Sequence, residues 1–179
     1  MIAIAACLLL IAAGGILAWK SPKPAPGPLW DPSYQASSIG YFVAPNVPFT
    51  YAYTTFRNSG SSTASLAGVH LVSPSDGLQV VRSFILPASQ GRNVPVNGPT
   101  FKQIPGMSPL VGANIPPHSA FVIVLELAVP SAGSRTSRGV RLDYSVGGSS
   151  YQAAFPDWIR VCAPEGSAPS CSNQPLPTS

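Results

Sequence analysis

Val140, Leu142, Tyr144 and Val146 alternate with Arg141, Asp143 and Ser145, and Gly147-Gly148 follows at once. A period of two sends alternate side chains to opposite faces of a strand, and a Gly-Gly pair supplies the positive φ angles of a two-residue hairpin. The same rhythm recurs along most of the chain. Phe49, Tyr51, Tyr53 and Thr55 alternate with Thr50, Ala52, Thr54 and Phe56, before the turn formers Arg57-Asn-Ser-Gly60. Residues 66–72 give way to Pro74-Ser-Asp-Gly77, and Leu78, Val80, Arg82, Phe84 and Leu86 then read as one face. Residues 121–129 are largely apolar on both faces, the mark of a central strand. Residues 151–155 and 158–162 complete a series of about seven or eight short strands, which predicts an all-β antiparallel sandwich.

Composition narrows the field further. The 21 prolines and 16 glycines exclude long helices from most of the chain, and charged residues make up only 9%, against roughly 25% in ordinary domains. Net charge is +4, yet Arg57, Arg82, Arg92, Lys102, Arg135, Arg138, Arg141 and Arg160 are scattered singly. Nucleic-acid binding calls for clustered basic residues, so no nucleic-acid partner is expected.

Ahead of the strands lies a different kind of sequence. Ile2–Trp19 is apolar throughout, and as a helix would be about 27 Å long, close to the hydrocarbon thickness of a bilayer. It is read as a membrane anchor over 1–19, with a cleaved signal segment as the alternative. Cys7 follows Ile4-Ala5-Ala6, a lipoprotein-like pattern, but too few residues precede it, and it reads as one more apolar side chain. Lys20 and Lys23 follow the run, and basic residues tend to stay cytoplasmic. The cysteines and the sparse charge of the body argue for export instead, which places the domain outside the cytoplasm. Residues 20–38, with Pro22, Pro24, Pro26, Pro28 and Pro32, read as an extended spacer. The folded domain is expected over 39–162 and a Pro/Ser-rich tail over 163–179.

Cys162 and Cys171 enclose a short loop of turn formers and are expected to form a disulfide in an oxidising compartment. The segment 88–117 holds no sustained period. It is read as a surface loop, with Phe101, Met107 and Leu110 as candidate contact residues for a protein partner. An edge strand at 100–104 is the alternative.

The chemistry-bearing residues are few. His70 and His118 are the only histidines, and neither sits in the Cys-His-Met pattern of a copper loop. No Gly-x-Ser-x-Gly elbow is present, and Asp76, Glu126, Asp143 and Asp157 stand apart in sequence. Glu126 is the odd one, inside an apolar strand: buried it needs a partner such as arginine, and facing solvent it needs none. No catalytic residues, metal ligands or cofactor are expected.

Phe49–Gly60 followed by Ala64-Ser-Leu-Ala-Gly-Val69 resembles the opening hairpin of bacterial extracytoplasmic immunoglobulin-like domains. Ile115–Leu125 and Val140–Val146 resemble later strands of the same domains, and the anchor-spacer-sandwich layout is similar to small membrane-anchored actinobacterial proteins. The resemblance implies an immunoglobulin-like sandwich and a place at the cell envelope. The expected function is a non-catalytic, membrane-tethered binding or structural module. A ligand or metal carrier, which would need His70 and His118 to converge, is the alternative.

Overall fold

The computed structural model describes residues 27–29, 38–91 and 105–164. Its elements are β1 (Ser38–Phe42), β2 (Phe49–Arg57), β3 (Ala64–Leu71), β4 (Gln79–Pro87), the single turn α1 (Ala88–Gly91), β5 (Ser108–Pro109), β6 (Asn114–Ile115), β7 (Ala120–Ala128), β8 (Gly133–Ser137), β9 (Val140–Val146), β10 (Ser149–Phe155) and β11 (Trp158–Ala163). One sheet has the order β2-β7-β4-β5 and another β10-β9-β3-β6. That is the B-E-D and G-F-C order of the immunoglobulin sandwich, with β5 and β6 added at the edges. Among the described residues the pairings are antiparallel except that of β1 with β11, which is parallel.

The third sheet, β1-β11-β8, continues the second through one long bent hairpin. Strands β9 and β10 pair from Val146 and Ser149 back to Val140 and Phe155, and β8 and β11 resume the pairing at Ser137 and Ile159. The bend lies at Gly139, whose φ is +130° and where a Cβ would come within 2.0 Å of the Phe155 carbonyl oxygen. Only glycine fits there. The tip of the hairpin is Gly147-Gly148, with φ of 56° and 83°, as a type I′ turn requires.

The core lies between the sheets. Phe121, Ile123, Leu125 and Leu127 of β7 pack against Leu142 and Tyr144 of β9, Phe155 of β10 and Ile159 of β11. The Phe56 ring meets Phe155 edge-on at 4.0 Å and Phe121 at 5.7 Å. Such aromatic contacts add roughly 0.5–1.5 kcal/mol beyond area burial. As its two apolar faces require, β7 is central, and Val122 and Val124 on its outer face form a second cluster with Leu86.

Three strands depart from strict alternation. Register shifts fall between Ala52 and Thr55, between Leu66 and Gly68, and between Val80 and Arg82. Each puts one extra residue on one strand and reverses its phase. In β2 the residues that join the main core are therefore Phe49, Tyr51 and then Phe56, while Thr55 is exposed. In β4 the expected single face divides: Leu78 and Val80 join the main core, whereas Phe84 and Leu86 join the outer cluster.

Two boundaries shift. Leu29, assigned to the spacer by its proline-rich surroundings, is 1% exposed and part of the core. The segment 105–115 is not a bare surface loop, since β5 pairs with β4 and β6 with β3. The 100–104 alternative, the 2–19 run and most of the spacer and tail lie outside the described residues. Among the described residues no helix is long and apolar enough to cross a membrane.

Candidate functional site

The flank between β3 and β4 is half closed and half open. On the closed half, the Leu110 N–H donates to the Ser83 carbonyl, while Leu66 exchanges hydrogen bonds with Gly112 and Ala113. Residues 108–115 thus bridge the edges of the two sheets. On the other half, residues 68–71 of β3 and 79–82 of β4 have no further strand beside them among the described residues. Between these edges lies an open groove of about 480 Å³.

The bulge in β4 shapes this groove. Val80 turns inward to the core and Arg82 outward, which leaves Val81 as the extra residue, 49% exposed beside the groove. Val69, Leu71 and Leu78 give the groove apolar walls. His70 and Arg82 supply its polar rim, each held by a carboxylate. His70 Nε2 lies 3.0 Å from Asp143 Oδ2, and Arg141 Nε lies 3.3 Å from Asp143 Oδ1. Arg82 Nε donates to Glu126 Oε2, and this hydrogen bond, opposed by desolvation, raises the Arg82 pKa above its usual value. Glu126 is 4% exposed, with Arg82 opposite it on β4 and buried Thr50 opposite it on β2. Of the two sequence readings of Glu126, the buried carboxylate with an arginine partner is therefore the one realised. A buried charge is tolerated when it is paired.

The remaining sequence candidates are dispersed. Leu110 is 0% exposed and packs the core, so it offers no surface to a partner. Met107 is half-buried against the outer cluster. Phe101 lies outside the described residues, as does Cys171, the expected partner of Cys162. Cys162 itself is buried near the end of β11, opposite Phe42 and Ser134. His70 and His118 stand near opposite ends of the sandwich. Ala64 pairs with Ile115, three residues before His118, and His70 lies six residues further along β3, roughly 20 Å at ~3.3 Å per residue. They cannot share a metal, and among the described residues no group of three His, Cys, Asp or Glu side chains converges. The Ser59, Ser119 and Ser137 hydroxyls donate to backbone carbonyls, and that of Ser65 to Asn114 Oδ1. These bonds use the hydroxyls structurally.

Sequence reasoning missed the groove because its position depends on the Val81 bulge and on where residues 108–115 dock. The one available signal was Glu126 within an apolar strand, which required a cation from a neighbouring strand.

No protein-family model and no curated protein matches the sequence. Among solved structures, the chain is similar to a PapD-like domain of human CEP192, at 8% identity and a TM-score of 0.43, over 83% of this chain and 94% of that one. It is also similar to the CooA pilin subunit of enterotoxigenic Escherichia coli, at 13% identity and a TM-score of 0.32, over 73% and 92%. A third likeness is to the VesB protease of Vibrio cholerae, at 10% identity and a TM-score of 0.38, over 72% of this chain. The chain spans 31% of that protease's length. Likenesses this distant carry no argument about activity.

Proposed function

We propose that this chain is a non-catalytic binding module of the cell envelope, tethered by residues 2–19 and presenting the β3/β4 flank to a protein partner. The observation that supports it most is that residues 68–71 of β3 and 79–81 of β4 have no further strand beside them among the described residues, with Val81 exposed at the groove. A sheet edge without a neighbour is a template for an added strand. The half-exposed Arg82 guanidinium on the rim would favour a segment with an acidic residue. Photocrosslinking from position 81 in the intact envelope tests the reading, with position 149 on the opposite edge strand β10 as control. A discrete adduct from 81 alone is expected; equal adducts from both, or none, sinks it.

In the same reading the domain is exported and Cys162 pairs with Cys171. Mass spectrometry of non-reduced peptides from the native envelope is expected to find the two linked. The carrier alternative has no support from the placement of its two histidines.

A further inference from the structure

Residues 27–29 are clamped onto the sandwich. The Leu29 N–H donates to the Tyr144 hydroxyl at 3.2 Å, and the Pro28 carbonyl accepts from the Ser59 N–H at 3.1 Å and the Ser59 hydroxyl at 2.8 Å. Gly27 has a φ of +62°, and a Cβ there would come within 2.4 Å of the Tyr144 hydroxyl and 2.5 Å of the Tyr151 ring. Ser59 belongs to turn 58–63, and Tyr144 and Tyr151 flank the 147–148 turn, so residues 27–29 are held at the end of the sandwich formed by turns 58–63, 116–119 and 147–148.

That end differs chemically from the rest. Of the Asp, Glu, Lys and Arg residues among those described, only Arg57 lies there, opposite Ala120 and close in sequence to the 116–119 turn that carries His118. Ser59, Ser61, Ser62, Ser149 and Ser150 are exposed around it. Between the apolar run ending at Trp19 and the clip lie only residues 20–26, at most roughly 25 Å even fully extended. They contain Lys20 and Lys23.

From these observations we propose that the clip and short connector hold this end of the sandwich, which carries no carboxylate among the described residues, against the bilayer carrying the anchor. The proposal rests on the tethered reading above. Among the described residues this end carries no Asp or Glu to repel anionic headgroups, and Arg57 there, with Lys20 and Lys23 in the connector sequence, is attracted to them. The β3/β4 groove then lies along the side of the tethered domain.

The test uses the full chain reconstituted in vesicles of phosphatidylcholine and phosphatidylglycerol that carry a headgroup photocrosslinker. Vesicle flotation comes first, then peptide mapping of the labelled sites. Labelling of 58–63, 116–119 and 147–150 is expected to exceed that of 72–78 and 130–138 at least fivefold. Inserting a twelve-residue Gly/Ser segment between Pro26 and Gly27, ahead of the clip, should bring the ratio to within twofold. A chain that fails to float overturns tether and orientation together. A floated chain labelled evenly overturns the orientation alone, and a ratio untouched by the insertion overturns the connector as its cause.

Discussion

At the end carrying turns 58–63 and 147–148, the segments are joined by buried neutral groups; at the end carrying turns 72–78 and 130–139, by a glycine bend. At the first end Asn58, fully buried, donates to the carbonyls of Ser62 and Ile115 and accepts from the Gly60 N–H, while Leu29 fills the core beside Tyr144. At the second, Gly139 lets the hairpin cross between sheets, with Arg135, Arg138 and Asp76 nearby in exposed or half-exposed positions. The difference teaches that neutral ends depend on satisfied polar groups and tight fit, whereas charged surfaces tolerate change.

The largest effect is expected from the bend. Gly139→Ala sets a Cβ against the Phe155 carbonyl at a positive φ, and should lower stability by about 3–5 kcal/mol, read as a shift in urea midpoint. Leu29→Ala is expected to cost about 2–4 kcal/mol, although the residue lies in a proline-rich spacer sequence, because it leaves a cavity in the core. An unchanged midpoint would mean the clip does not form. Asn58→Ala strands two carbonyls and one N–H, for about 2–3 kcal/mol.

A smaller effect concerns alkaline pH. Burial, and then the nearby Tyr151, push the Tyr144 phenol up to about 12, against the lowering effect of the Leu29 N–H. Below pH 10 the hydroxyl is neutral in both states and its contribution is whole. From pH 10 to 12 the unfolded chain ionises first, so stability should fall as pH rises, by on the order of 1–2 kcal/mol. Tyr144→Phe should flatten that limb of the stability–pH curve. The smallest effect belongs to the charged side: His70→Ala, removing a contact with Asp143 from a histidine that is 55% exposed, should change stability by less than about 0.5 kcal/mol. A loss above 2 kcal/mol would erase the contrast between satisfied neutral groups and tolerant charged ones.

How much was legible depended on whether a strand keeps its phase. β9 alternates without interruption, and its buried residues Val140, Leu142 and Tyr144 are those the period of two assigns inward. β4 carries an extra residue at Val81, and its pattern places Val80 and Leu86 on one face when they pack in different clusters. Leu110 looked like an exposed loop residue because nothing local records that residues 108–115 bridge two sheet edges.

The sequence by itself determined the all-β class, the central place of β7, the hairpin turn at Gly147-Gly148 and the absence of any run of basic residues. These follow from side-chain period, apolarity and turn chemistry, which are local. Tertiary structure alone decided the bulges, the docking of Leu29, the pairing of Arg82 with Glu126, the distance between His70 and His118 and the groove. Each of these joins residues far apart in the chain, and their positions are settled only when two sheets close over one core.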